Sequence, residues 1–273
     1  MRPSLARAAV LGMILLAAAC SADSALAPEL PAVSIETSVV ATASGHSTAN
    51  DVLFLQAISY ELGGSGMSAS VQGANGPSLS VTYGGLNCAF DAGRQRHVCP
   101  QIVLDSMTLS AEYALYADDA VQTAYDDVST DSAEIWYSAA GRLVNPDGAA
   151  DIGRTRTLKV RGLSGTETQR IFGGSGVTRA EGIISGIPLK TYVLNDTTTA
   201  TDVVYGVPFI SNVWPKSGTL ETRSQLDVSN GLTTTTTHRR VTITFSGTQT
   251  ADMDVDGVAY SLDLASGAVA RKP

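Results

Sequence analysis

The chain has 273 residues and carries 26 acidic against 18 basic side chains, so its formal charge is −8 at pH 7. This acidic balance argues against nucleic acid and anionic membrane surfaces as partners, because both repel a negative protein. The length suits one large all-β domain or two small ones, and 26 glycines among many Thr, Ser and Val residues favour strands and turns over helices.

The first twenty residues combine a basic start with a short apolar run. Arg2 and Arg7 precede the apolar residues 8–16, and three alanines then lead to Cys20. The run is too short to span a bilayer and has the layout of a secretory signal peptide. The segment resembles the signal of bacterial lipoproteins, in which small residues precede a cysteine that becomes the acylated N-terminus. The alternative is an ordinary secretory signal whose cysteine is incidental.

The lipoprotein resemblance implies that residues 1–19 are a cleaved signal peptide and that Cys20 carries a lipid anchor. Cleavage would remove two arginines and no acid, which changes the formal charge from −8 to −10. By the sorting rule of enteric-type bacteria, Ser21 rather than Asp beside the cysteine implies an outer-membrane lipoprotein of a Gram-negative cell. The membrane, contacted through the N-terminal lipid, is therefore an expected partner.

The next segment, 20–47, is rich in Ala, Ser and Thr and shows no sustained period. This composition predicts a flexible tether that holds the rest of the chain off the membrane. An edge strand over residues 33–40 is the alternative. Residues 48–273 are predicted to form a single β-rich domain.

The segment 48–62 is predicted to be the helix of this domain. Thr48 and Asp51 stand at capping-box spacing, and Gly63 and Gly64 follow as a stop signal. The segment is apolar on most sides, which is typical of a buried helix. A strand is the alternative, because several apolar residues also share one parity. One helical stripe contains the long apolar residues Phe54, Leu55, Ile58 and Leu62.

The chain contains three cysteines, an odd number for an exported protein. Acylation of Cys20 would leave Cys88 and Cys99, which are separated by ten residues. In an oxidising compartment these two are predicted to form a disulfide. The alternative is a metal site built from Cys88, His97 and Cys99, for which no fourth ligand is evident.

Alternation of apolar and polar residues dominates the chain from Ser78 onward. Apolar residues of one parity predict strands with one buried face, which is typical of an antiparallel sheet. The clearest runs are Met107, Leu109, Ala111, Tyr113 and Leu115; Ala133, Ile135, Tyr137, Ala139 and Leu143; Leu158 and Val160; and Val241, Ile243 and Phe245. Turns are predicted at 145–148, 173–174, 195–196, 215–218, 230–231 and 256–257. The pattern predicts a meander of roughly ten strands.

The segment 252–263 matches the acid spacing of a calcium-binding loop. Asp252, Asp254, Asp256 and Asp263 occupy positions that supply oxygen ligands in such loops, and Gly257 occupies the glycine position. However, the preceding residues predict a strand rather than a helix. Asp256-Gly257 between alternating apolar residues predicts a two-residue hairpin turn, so calcium binding is the weaker alternative.

Catalytic motifs are absent from the sequence. It contains no Gly-x-Ser-x-Gly elbow and no phosphate-binding glycine loop, and its only histidines are His46, His97 and His238. Each histidine is predicted to be a solvated surface residue. The expectation is a non-enzymatic protein with no cofactor and no catalytic residue.

These observations predict an all-β fold: an extended antiparallel meander sheet, curled or forming a partial barrel, with one N-terminal helix on its apolar face. The expected function is structural or binding, in a lipid-anchored envelope protein. One alternative is a periplasmic carrier of a lipid or other apolar ligand, by analogy with half-barrel lipoprotein carriers. Another is a surface adhesin or glycan-binding module, for which Trp136 and Trp214 are the candidate contact residues.

Overall fold

A computed structural model describes part of the chain. The described residues are 37, 40–42, 44, 45, 47–49, 51 and 52, followed by 88–104, 106–145, 148–184, 190–207 and 213–273. The predicted signal peptide and Cys20 lie outside them. None of the described residues belongs to a helix that is long and apolar enough to cross a bilayer.

Most described residues lie in β-strands. The strands are β1 (Ala89–Asp91), β2 (Arg96–Val98), β3 (Ile102–Leu104), β4 (Met107–Ala117), β5 (Ala120–Gln122), β6 (Ser132–Asn145), β7 (Gly148–Arg161), β8 (Gln169–Ile184), β9 (Lys190–Gly206), β10 (Ser217–Ser229), β11 (Thr234–Thr244), β12 (Thr250–Val255), β13 (Val258–Asp263) and β14 (Val269–Arg271).

The fourteen strands of the described residues form one antiparallel sheet. Its order is β1-β2-β4-β6-β7-β8-β9-β10-β11-β12-β13-β14, with β3 and β5 paired to β4. Each long strand thus pairs with its neighbour in sequence, which confirms the predicted meander. In the described part of the chain, β1 and β14 do not pair with each other, so the sheet is not closed into a barrel. The count exceeds the roughly ten strands predicted, because three-residue strands are too short to show a period of two.

One face of the sheet, here called the inner face, carries the core. In β12, for example, Ala251, Met253 and Val255 are buried while the residues between them are exposed. The predicted apolar runs are confirmed in β4, β6, β7 and β11 by burial of the inner-face residues Leu115, Ala133, Ile135, Ala139, Leu158, Val160, Val241 and Ile243; Phe245, just beyond β11, is buried as well.

Three of the predicted turns connect strands in the structure: residues 145–148, 230–231 and 256–257. Asp256 and Gly257 have φ values of 50° and 85°, which suit a two-residue hairpin turn. The turn predicted at 215–218 leads into β10.

Two predicted turns are wrong. Gly173 and Gly174 lie inside β8, where the register shifts between Phe172 and Gly174. A Cβ on Gly174 would lie 2.1 Å from the carbonyl oxygen of Thr157, so glycine here permits close strand approach at a bulge. Asn195 and Asp196 lie inside β9, where Asn195 accepts a hydrogen bond from Arg179 on β8 at 3.1 Å.

Helical residues begin N-terminal to the start of the predicted helix. All described residues between 37 and 52 are helical, and this stretch begins within the segment that is expected to be a tether. The described start of the predicted helix 48–62 is helical, but Phe54, Leu55, Ile58 and Leu62 lie outside the described residues. The buried helical residues recur at helical spacing and are mostly small, which explains why their hydrophobic pattern is weak: Thr37, Ala41, Gly45, Thr48, Ala49 and Val52.

This buried stripe packs against the inner face. Ala41 and Val52 belong to the same core cluster as residues from β4 to β13. At Gly45 a Cβ would lie 2.5 Å from Val269 and 3.0 Å from Leu262, so the helix approaches β13 and β14 closely. Small side chains along the helix make this close approach possible. At the other end of the described helical residues, the Val52 carbonyl accepts a hydrogen bond from Tyr205 of β9, in the middle of the sheet.

Candidate functional site: a charged cluster between helix and sheet

Polar residues interrupt the apolar inner face near the middle of the long strands. Strand register places them in two adjacent cross-strand rows, because residues two apart in a strand share a face. The first row contains Tyr137, Arg156, Gly176, Thr198 and Thr222 on β6 to β10, and the second contains Arg154, Thr178, Asp196 and Ser224 on β7 to β10. We call these residues the polar rows.

Asp51 of the helix lies over the polar rows. Its Oδ1 contacts Nη2 of Arg154, and its Oδ2 lies 3.8 Å from Nη2 of Arg156. The side chains of Asp51, Arg154 and Arg156 are only 17%, 20% and 6% exposed. The carboxylate therefore pairs with two guanidinium groups in a largely desolvated setting, where Coulomb attraction is strong but desolvation is costly.

Arg156 is the most buried charge of this cluster. Its Nη1 donates to the carbonyl oxygens of Thr155, at 3.0 Å, and Val177, at 3.3 Å. Burial lowers the pKa of Arg156, and the neighbouring Asp51 acts in the opposite direction. Because arginine remains protonated in proteins, this guanidinium is a fixed positive charge in the sheet.

Gly176 makes room for the Arg156 side chain. The two residues are directly opposite each other on β7 and β8. A Cβ on Gly176 would lie 2.3 Å from Cδ of Arg156 and 2.2 Å from the carbonyl oxygen of Thr155. A larger residue at this position would thus collide with the arginine stem and with the backbone.

Asp196 supplies the second carboxylate of the cluster. Burial raises the pKa of Asp196, while a hydrogen bond with Ser224 and the charges of Arg156 and Arg154 act in the opposite direction. Its Oδ1 is buried and has no hydrogen-bond partner among the described residues. Two acidic and two basic residues therefore balance formally, although Asp196 is incompletely compensated.

A small cavity adjoins this cluster. Its volume is about 20 Å³, and its lining consists of Asp51, Arg156, Leu158, Gly174, Ser175, Thr198, Ala200 and Leu220. This volume can hold one water molecule, whereas sites for small organic ligands are roughly 300 to 1,000 Å³. The described lining contains hydroxyl groups but no histidine or cysteine, so it offers no nucleophile paired with an imidazole base. The arrangement can position the helix and hydrate a buried charge.

Cys88 and Cys99 form a disulfide, as the sequence pattern predicts, with their Cα atoms 4.0 Å apart. The alternative metal site with His97 is wrong, because the two sulfur atoms are bonded to each other. The prediction that His97 is solvated is also wrong: it is only 7% exposed. Its ring stacks on Tyr113 at 4.5 Å, and burial lowers its pKa. His97 is enclosed because Phe90 and Tyr113 on neighbouring strands contact its ring, and the sequence does not show these contacts.

The segment 252–263 forms the predicted hairpin. Val255 pairs with Val258 across a two-residue turn, which confirms the predicted hairpin. The four carboxylates contact different local partners: Asp252 pairs with Lys272, Asp254 accepts from the amide of Gly257, Asp256 from that of Arg240, and Asp263 from that of Ser266. Among the described residues, no three His, Cys, Asp or Glu side chains gather at metal-binding distance.

The remaining candidates do not converge on a site. The Arg96 guanidinium lies 4.1 Å from the ring centroid of Trp136 and covers it, and Trp214 packs against the core. His238 is exposed on β11, as predicted, and His46 lies outside the described residues.

The charged cluster itself is not predicted from the sequence. In the sequence, Asp51 is recognisable only as a candidate capping residue. Arg154 and Arg156, however, share the parity of the buried Leu158 and Val160 on the same strand. Two arginines on the apolar parity of a strand are the signal that could have revealed them. Comparison with protein-family models, with curated proteins and with solved structures finds no match to this chain.

Proposed function

We propose that the protein is a non-enzymatic, lipid-anchored envelope protein whose β domain acts by its surface rather than by enclosing a ligand. The packing of the described core carries this proposal. Phe172, Tyr205 and Val52 are fully buried, and the cavity lined by Asp51 and Arg156 has a volume of only about 20 Å³. The lipoprotein-like signal with Cys20 supports the anchor and an outer-membrane location.

The shared core supports the finer fold of this proposal. Side chains from β4, from β13 and from the helix belong to one cluster. Neighbouring strands are roughly 4.8 Å apart, and β4 and β13 are separated by many strands in the sheet order. In a flat sheet their side chains would therefore be too far apart to share one core. We therefore propose that the sheet curls as a partial barrel around the helix.

The anchor is tested by Cys20→Ser in a Gram-negative host. The wild-type chain should fractionate with the outer membrane, and mass spectrometry should find Cys20 as an acylated N-terminus. The Ser variant should be released or incorrectly processed. If the variant is equally membrane-bound after a high-salt wash, the proposed anchor is wrong.

A carrier of an apolar ligand is the second candidate. An apolar row lies just beyond the polar rows on the inner face and favours this function: Ile152, Ala180, Leu194 and Leu226. Apart from the buried Ala180, these residues are half-buried, and in a carrier they could contact an acyl chain when the helix yields.

Val52→Asp distinguishes the two candidates. If the helix is a permanent part of the core, a charge at this fully buried position should unfold or strongly destabilise the domain. Ser47→Asp, on the exposed side of the helix, is the matched control and should behave like wild type. In a carrier, the Val52 variant would stay folded by circular dichroism and lose a lipid that co-purifies with the wild-type chain. That outcome would favour the carrier.

A further inference from the structure

Part of β11 is an open edge of the sheet. This strand pairs with β10 along its whole length, from Thr244 to Thr234, but with β12 only from Val241 to Thr244. The reason is the β12–β13 hairpin, whose turn at Asp256 reverses the chain opposite Arg240. In the described part of the chain, no strand pairs with residues 234–239 on that side. We call these six residues the open edge.

Backbone groups of the open edge point away from β10 at alternate residues. The amide of Phe245 donates to Gly218, so odd-numbered residues face β10. The carbonyl of Arg240 accepts from Asp256 at 3.0 Å, and its amide donates to the Asp256 carboxylate at 2.8 Å, so even-numbered residues face outward. Antiparallel pairing alternates in this way along a strand. Thr234, Thr236 and His238 therefore direct their amide and carbonyl groups to the open side.

The threonine part of the open edge, residues 234–237, lacks the usual features that block strand pairing. Natural edge strands are often very short, bulged, or interrupted by proline or lysine. Here the register with β10 is continuous, and the first four residues are all threonine, which favours extended backbone. The Arg239 side chain pairs with Asp256 at 3.4 Å and donates to the carbonyl oxygen of His238 at 3.2 Å, so strand pairing at His238 has to displace this second contact.

We propose that the open edge pairs antiparallel with the same edge of a second copy of the chain. Two copies related by a twofold axis can place Thr236 opposite Thr236 of the partner subunit and Thr234 opposite His238 of the partner subunit. All of these residues direct backbone groups outward, so both strands supply complementary donors and acceptors. Threonine pairs across strands are favourable.

The charge distribution also fits this occupant. Each copy has a formal charge of −8, so most of its surface repels a second copy. The threonines at the centre of the open edge are uncharged. In the antiparallel arrangement, the basic residues Arg239 and Arg240 of the two copies lie at opposite ends of the paired segment. The pairing is short, so we expect an interface below roughly 1,000 Å² and a weak dimer.

Thr236→Pro tests the proposal. Proline removes the outward amide of residue 236 in both copies and is tolerated on edge strands. Thr236→Ala is the matched control, because both variants lose the hydroxyl that donates to Asp227 while Ala keeps the amide. Sedimentation equilibrium is measured on the full chain, with Cys20→Ser in every sample so that an acyl group does not drive association. The dimer dissociation constant should rise at least about tenfold for Pro and remain within about threefold for Ala.

Two results would overturn the proposal: a wild-type chain that stays monomeric up to about 1 mM, or a Pro variant that dimerises like the Ala variant. Thermal unfolding of each variant checks the fold. If Thr236→Pro does not fold, Thr234→Pro near the strand end replaces it.

Cysteine cross-linking supplies a second readout on the full chain. Under mild oxidation, Thr236→Cys should form a dimer band, whereas Val177→Cys, which is exposed on the central strand β8, should not. Equal cross-linking at both positions would indicate random collision and reject the proposed edge pairing.

Discussion

The carboxylate of Asp51 on the helix lies 3.8 Å from the guanidinium of Arg156 in the middle of the sheet. This relationship joins two segments that are far apart in sequence, and the neighbouring Arg154 contacts the same carboxylate. Because Arg156 is almost fully buried, the helix carboxylate adds to the partial compensation that Asp196 provides within the sheet.

Asp51→Ala should destabilise the domain by about 2 to 3 kcal/mol, which is somewhat less than the loss for a fully buried pair because the carboxylate retains slight exposure. The variant leaves two guanidinium groups without their helix partner. Arg156→Met should have a smaller effect, because it removes the more buried charge and preserves the pair between Asp51 and Arg154. Urea unfolding monitored by circular dichroism measures both. Equal stability of Asp51→Ala and wild type would show that the cluster contributes nothing.

Gly176→Ala should destabilise the domain by about 1 to 3 kcal/mol, since the added methyl group overlaps the backbone of Thr155 and the stem of Arg156. Gly153→Ala on β7 is the matched control, because nothing lies within 4 Å of its Cβ position. The control should be neutral or more stable by up to about 1 kcal/mol. Thermal unfolding of the two variants side by side makes the comparison; similar midpoints would contradict the crowding at Gly176.

Asp196→Asn should stabilise the domain at neutral pH. Burial raises the pKa of Asp196 above its ordinary value of 3.8, so the folded state binds more protons than the unfolded state between the two pKa values. Stability is therefore highest below pH 3.8 with respect to this group and falls as the pH rises through the folded-state pKa. The advantage of the Asn variant should be largest near pH 7 and vanish near about pH 3.

Asp202→Asn is the control for this pH dependence. Asp202 lies on the same strand but is exposed and pairs with the exposed Arg161. Urea unfolding at several pH values should show a pH-dependent gain in stability for Asp196→Asn, and the control reports the effect of removing an exposed carboxylate from the same strand. A constant difference in stability between the Asp196→Asn variant and wild type across this range would refute the assignment.

Removal of the Cys88–Cys99 disulfide should destabilise the domain by about 2 to 3 kcal/mol, because the bond restricts the unfolded chain over a short loop. The double variant Cys88→Ser, Cys99→Ser should unfold at lower urea concentration than wild type under non-reducing conditions. With reductant present, the two proteins should unfold alike. Thiol labelling of the unfolded, non-reduced wild-type chain provides the direct check: modification of both cysteines would rule out the bond.

The sequence by itself determined the class of fold and most strand positions. Residues such as Met253 and Val255 alternate with polar neighbours, and a period of two reports directly which side of a strand is buried. Asp256-Gly257 likewise specified a hairpin, because its local backbone preference is sufficient to reverse the chain. The disulfide followed from the count and spacing of the cysteines.

Only the tertiary structure decided the helix position and the charged cluster. Small residues such as Ala41 and Gly45 carry a weak hydrophobic signal, and their packing depends on the close approach of β13 and β14. Burial of Arg156 relies on the carboxylates of Asp51 and Asp196 and on the glycine opposite it, which come from different parts of the chain. Local patterns report the preference of each segment for one face, whereas compensation of a buried charge depends on contacts between segments that no local pattern contains.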